Sequence, residues 1–135
     1  MRCMAFRKRL IDKKDSEVEA GELYFTLVDY SLDYTEYLHK EYKTKEGMKY
    51  IMVKIYCECK SNHGGYISRE SFECYVDDAL VEHVYGIDGR TYLSGASFSG
   101  RGAATLNMFF EVPIEHTEIK VEYNTTTERL IIKLQ

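Results

Sequence analysis

Lys49-Tyr50-Ile51-Met52-Val53-Lys54-Ile55-Tyr56-Cys57-Glu58-Cys59-Lys60 alternates along its whole length. Ile51, Val53, Ile55, Cys57 and Cys59 share one face, and Tyr50, Met52, Lys54, Tyr56 and Glu58 share the other. Successive side chains of a strand point to opposite faces, so this pattern predicts a β-strand with one face in the core. A slip of one residue would turn the whole apolar set to solvent, which specifies the register tightly.

The same period of two recurs on both sides of this segment. Glu22–Asp29 places Leu23, Phe25 and Leu27 on one face, and Ser71–Asp77 places Phe72, Cys74 and Val76. Ala104–Val112 alternates through Leu106, Met108 and Phe110 until Pro113, which has no amide hydrogen for a ladder. Glu118–Tyr123 and Glu128–Leu134 close the chain around an Asn124-Thr125-Thr126 turn. A further short strand is read at Leu80–Tyr85, where both faces are similarly apolar. Thr44-Lys45-Glu46-Gly47 and Ser61-Asn62-His63-Gly64-Gly65 read as turn and loop. Gly86–Gly102, with five glycines and three serines, reads as mostly loop with a short strand at Thr91–Leu93. Tyr30, Tyr34, Tyr37 and Leu38 have the spacing of one helical turn. No long amphipathic helix exists to cover a parallel sheet. The expected fold is therefore all-β, an antiparallel sandwich of about seven or eight strands around one core, which suits 135 residues.

Charge divides the chain. Residues 1–14 carry six basic groups and one acid, leaving 12 basic and 21 acidic groups, net −9, for residues 15–135. This predicts a basic N-terminal tail over residues 1–17 and a sandwich domain over 18–135. An acidic body disfavours nucleic acid as a partner, because phosphate binding needs clustered Lys and Arg. No apolar run reaches the length of a transmembrane helix. The basic start is not followed by the apolar stretch of a signal peptide, so the sequence as written reads as cytoplasmic.

Chemistry-bearing residues do not converge on an active site. Cys57, Cys59 and Cys74 all face the core in this reading and behave there as small hydrophobes. In an oxidising compartment Cys74 would pair with Cys57 or Cys59. Cys57-x-Cys59-x-x-x-His63 is not a zinc spacing, and His39, His63, His83 and His116 sit in separate segments. The Gly95–Gly102 stretch lacks the ending of a phosphate loop, and no Gly-x-Ser-x-Gly elbow is present. Asp77-Asp78 reads as a turn rather than a calcium site. No metal ion, cofactor or catalytic residue is expected. Tyrosine is the informative residue: there are twelve, and Tyr30, Tyr34, Tyr37 and Tyr42 gather in one segment. Tyrosine combines large contact area with a polar tip at low entropy cost, which suits a binding surface.

Three runs, Gly47-Met48-Lys49-Tyr50-Ile51-Met52-Val53, Phe72-Glu73-Cys74-Tyr75-Val76-Asp77-Asp78 and Phe109-Phe110-Glu111-Val112-Pro113, stand in a telling order. Over about residues 20–135 the chain resembles a family of bacterial immunoglobulin-like domains of unknown function. Its members are mostly cell-envelope lipoproteins and secreted proteins. Domain catalogues attach to it a telomeric-repeat-binding label that the fold does not justify. Its fold is similar to that of a secreted mycobacterial immunoprotective antigen. The resemblance implies an immunoglobulin-like sandwich and an envelope or secreted location, and it supplies no catalytic residues. The combined expectation is a non-enzymatic binding module with a protein or surface ligand. The alternatives are a cytosolic structural or accessory domain with reduced core thiols and, less favoured, a hydrolase using loop residues.

Overall fold

The alternating segment at 49–60 becomes a twelve-residue strand at the centre of a sheet. The computed structural model describes residues 7–36, 43–87 and 95–135. Among them the chain forms twelve strands and one 3-10 turn, Arg69–Ser71, with no α-helix. In chain order the strands are β1 (Arg7–Ile11), β2 (Glu17–Ala20), β3 (Leu23–Ser31), β4 (Met48–Cys59), β5 (Gly65–Ser68), β6 (Phe72–Val76), β7 (Ala79–Val81), β8 (His83–Val84), β9 (Gly95–Phe98), β10 (Gly102–Pro113), β11 (Ile119–Asn124) and β12 (Glu128–Lys133).

Two five-stranded sheets make an immunoglobulin-like β-sandwich. One runs β1-β12-β11-β6-β7 and the other β2-β3-β4-β10-β8, while β5 and β9 form a separate pair. Pairing is antiparallel except between β1 and β12, which run parallel. The longest ladder joins β4 to β10 through twelve consecutive residue pairs, from Met48 with Pro113 to Cys59 with Gly102. Its inner face presents Ile51, Val53, Ile55 and Cys57 beside Leu106, Met108, Phe110 and Val112. These pack in one cluster with Phe72, Cys74, Ile119, Val121, Leu130 and Ile132 of the facing sheet. Full burial of each large apolar side chain contributes roughly 1.5–3 kcal/mol against leaving it exposed. Phe25, Phe72 and Tyr123 tie the two layers together, with ring centroids 4.9–5.8 Å apart.

Four short strands and one break were not read from the sequence. The segment expected as a tail contributes β1 and the first residue of β2. Arg7–Ile11 pairs with Glu128–Ile132, and Ile11 is buried. Its basic residues hid it: Arg9 turns to the inner side and donates Nε–H to the Glu19 carbonyl at 2.9 Å, with Glu128 at 3.8 Å. Leu80–Tyr85 is not one strand. Ala79–Val81 pairs with β6 in one sheet and His83–Val84 with β10 in the other. Within the expected glycine-rich loop, Gly95–Phe98 is strand β9 and Gly102 begins β10. The expected strand at Thr91–Leu93 lies outside the described residues.

Two tight hairpins are built on left-handed backbone. Gly21 and Glu22 join β2 to β3, and Asp77 and Asp78 join β6 to β7, all four with positive φ. Paired left-handed residues match the twist of flanking strands. The Asp77 carboxylate accepts the backbone N–H groups of Thr117, at 3.0 Å, and Glu118, at 2.7 Å. Asp77 thereby clamps the end of β6 to the start of β11.

Gly64 is sterically required. Its φ is +77°, and a Cβ there would overlap the Phe98 carbonyl oxygen where β5 begins its pairing with β9. We expect Gly64→Ala to lose about 2 kcal/mol or more of stability, read as a lowered urea midpoint at unchanged slope.

Candidate binding groove

The outer face of the β2-β3-β4-β10-β8 sheet is uneven. Toward the Cys59 end of β4 it carries Lys54, Tyr56 and Glu58, and toward the Met48 end it carries Tyr50 and Met52. Phe109 of β10 stands opposite Met52. The chain leaving β3 folds over this apolar end. Tyr34 donates its backbone N–H to the Tyr50 carbonyl at 2.8 Å and lays its ring 5.0 Å from that of Phe109. From the far side Ile87 packs down to 0% exposure. Tyr50, Ile87 and Phe109, with Tyr34, Met52 and Val84 against them, form a second small core outside the sandwich.

A groove of about 360 Å³ opens beside this cluster. Tyr34, Tyr50, Met48 and Ile114 supply its apolar surface, and Asp33, Thr35, Thr44 and Lys49 its polar groups. Ile114 is 55% exposed, although its backbone N–H is held by the Gly47 carbonyl at 2.9 Å. Next to the lining residue Thr44, Lys45 is tied to β10: Glu111 accepts its backbone N–H at 3.3 Å and faces its ammonium at 3.8 Å. The Tyr34 hydroxyl donates to the Glu36 carbonyl at 3.2 Å. The groove is thus a preformed, partly aromatic surface rimmed by hydrogen-bonding groups.

Of the expected tyrosines among the described residues, Tyr34 lies on this surface and Tyr30 does not. A bulge at Leu27–Asp29 inserts one residue into β3 opposite β4. It reverses the alternation, so Tyr30 pairs with Val53 and packs on the main core instead of the outer face. Asp29 takes the outward place opposite Lys54. Its carboxyl is held below the usual value by the Tyr30 backbone N–H and then by Lys14. Tyr37 and Tyr42 lie outside the described residues. The partners of Tyr34, namely Tyr50, Phe109 and Ile114, were missed because they come from distant segments. The apolar start of the outer face of 49–60, Tyr50 and Met52 before Lys54, was the available signal.

Cys57, Cys59 and Cys74 are free, buried thiols in this structure. Cys57 and Cys59 sit two apart on one strand face, and neither is bonded to the other. Burial pushes the Cys57 and Cys74 thiols up to about 12, with Cys59 beside Cys57 adding to that shift. Such thiols are poor nucleophiles. His83 donates its Nε2–H to the Phe72 carbonyl at 2.8 Å and stacks on Tyr85, and His63 is exposed in its loop. His39 lies outside the described residues. Among the described residues no group of His, Cys, Asp and Glu is arranged to hold a metal ion, and no helix is long and apolar enough to cross a membrane.

No family model matches the chain, and no curated protein matches it. Solved structures do. The chain is similar to ycdA, a candidate lipoprotein of Bacillus subtilis, at 14% identity and TM-score 0.73, over 91% of this chain and 39% of ycdA. It is similar to the yjhA protein of Bacillus subtilis at 17% identity and TM-score 0.70, over 93% of this chain and 100% of yjhA. It is similar to MPT63, a secreted protein of Mycobacterium tuberculosis, at 15% identity and TM-score 0.61, over 93% of this chain and 98% of MPT63. At these identities the likeness is one of fold, and the mycobacterial likeness expected from the sequence holds at that level.

The buried thiols have a readable consequence at alkaline pH. An unfolded thiol ionises near 8.5, well before its folded counterpart, so between about 9 and 12 the unfolded chain binds fewer protons. Stability therefore falls as pH rises through that window, by up to about 1.4 kcal/mol per pH unit for each such thiol. Urea melts across pH 8–11 should show that slope, reduced in Cys74→Ala. In a Cys3→Ser background the native protein should resist Ellman's reagent at pH 8 and react fully once unfolded.

Proposed function

We propose that this chain is a non-enzymatic binding module of bacterial type, displayed at the cell envelope, that takes a protein ligand into the groove beside Tyr34. One observation carries the reading: Tyr34 is locked on Phe109 and Tyr50 with its flank turned to an open groove. A tyrosine fixed in advance spends little entropy when a partner covers it, which is how aromatic anchors come to dominate interfaces. Ile114, more than half exposed at the groove mouth, adds apolar area that water covers poorly. The envelope location draws support from the printed descriptions of fold neighbours, one a candidate lipoprotein and one a secreted protein. The absence of a catalytic role draws support from the core thiols Cys57 and Cys74, which burial holds protonated.

Phage-displayed random peptides selected in parallel on the wild type and on Tyr34→Ala test this. The reading predicts peptides whose affinity falls about 30-fold in the variant, the effect of losing one anchor worth about 2 kcal/mol. Their amide shifts should map to residues 33–36, 48–50 and 114. Peptides that bind both proteins alike, or an empty selection, would overturn it.

A further inference from the structure

A second surface lies toward the other end of this sheet and continues past its β2 edge onto Lys8, Arg9 and Leu10 of β1 in the facing sheet. Three depressions, of about 570, 290 and 430 Å³, run into one another there. The first two share Glu19 and Tyr24, and the last two share Lys60. The trough crosses strands instead of following them. Glu19, Tyr24, Glu58 and Ala103 stand in one register row over β2, β3, β4 and β10. With strands about 4.8 Å apart, that row is about 14 Å long. Tyr56 stands in the next row, diagonal to Tyr24, and lines the third depression with Glu58 and Arg101.

Tyr24 is fixed by its neighbours. The Lys60 ammonium lies 4.0 Å from its ring centroid, and Glu17 holds Lys60 at 2.8 Å. Glu19 accepts the Tyr24 hydroxyl, which raises that group above its usual value. Exposed ion pairs add little stability, so the effect of this network is to set the ring's position.

The lining decides the ligand class. The three depressions together contain four basic and four acidic side chains. A phosphate chain meets four carboxylates and a polycation meets four bases, so neither is favoured. Few apolar side chains line the trough, which disfavours a lipid or an amphipathic helix. A neutral, hydroxyl-rich chain fits: its C–H faces pack on tyrosine, and its hydroxyls bridge carboxylate and guanidinium or ammonium. We infer that the trough from Lys8 past Tyr24 to Arg101 binds a neutral oligosaccharide.

This surface does not include the Tyr34 groove, and the two proposals fail separately. The full chain, labelled with 15N, is titrated to millimolar concentration with the tetrasaccharides of β-1,4-N-acetylglucosamine, β-1,4-glucose, α-1,4-glucose and β-1,4-mannose. At least one should give saturable amide shifts at Tyr24, Tyr56, Lys60 and Arg101. Its affinity should fall about tenfold or more in Tyr56→Ala and stay unchanged in Tyr34→Ala. If Tyr56→Ala does not fold, Arg101→Ala in the exposed loop reads the same loss. No shift with any sugar, shifts confined to other residues, or affinity that survives the trough variants would overturn the inference. So would a neutral Ser-Gly-Asn peptide or heparin binding there in place of every sugar.

Discussion

Twelve uninterrupted residue pairs between Met48–Cys59 and Gly102–Pro113 are the constraint on which the rest of the molecule depends. Because the side-chain period is two and the ladder has no bulge, each residue's face is set along its full length. The inner face becomes the floor of the core. The outer face becomes a broad surface on that side of the sandwich, and its character follows from the residues that alternate onto it.

That outer face splits by composition. At one end Tyr50, Met52 and Phe109 are too apolar to be left in water, and the segments carrying Tyr34 and Ile87 cover them. At the other end Tyr24, Tyr56, Glu58 and Lys60 are at least partly exposed, and Glu17 holds Lys60 over the Tyr24 ring. The bulge in β3 draws the boundary by sending Tyr30 inward and Asp29 outward. One ladder thus supplies a covered aromatic end with a groove at its margin and an open polar end with a trough across it.

Strands with clean alternation and a buried face were legible in the sequence, and β3, β4, β6, β10, β11 and β12 match it closely. Strands at edges were not. β1 reads as a charge run because Arg7, Lys8 and Arg9 dominate it, yet parallel pairing with β12 and burial of Ile11 make it sheet. β9 falls in a stretch read as mostly loop because of its glycines, and β5 starts at the last residue of the Ser61–Gly65 loop and was otherwise left unread, whereas Gly64 and Gly95 are needed where two backbones approach closely. The candidate groove was half legible. Composition points to tyrosine as the candidate residue, but the bulge that turns Tyr30 inward and the non-local contact of Tyr34 with Phe109 leave no local pattern. The thiols were legible as core residues, since three alternating positions on two strands leave them nowhere else to point.

Native-state hydrogen exchange tests the ladder as the spine of the fold most directly. Amides that open only with global unfolding exchange slowest and share one free energy. The account predicts that Ile51–Cys57 and Thr105–Phe110 form that slowest set together, with β1, β2 and β8 exchanging faster. A slowest set located instead in β1, β12 and β11, or β4 and β10 exchanging with different free energies, would contradict it.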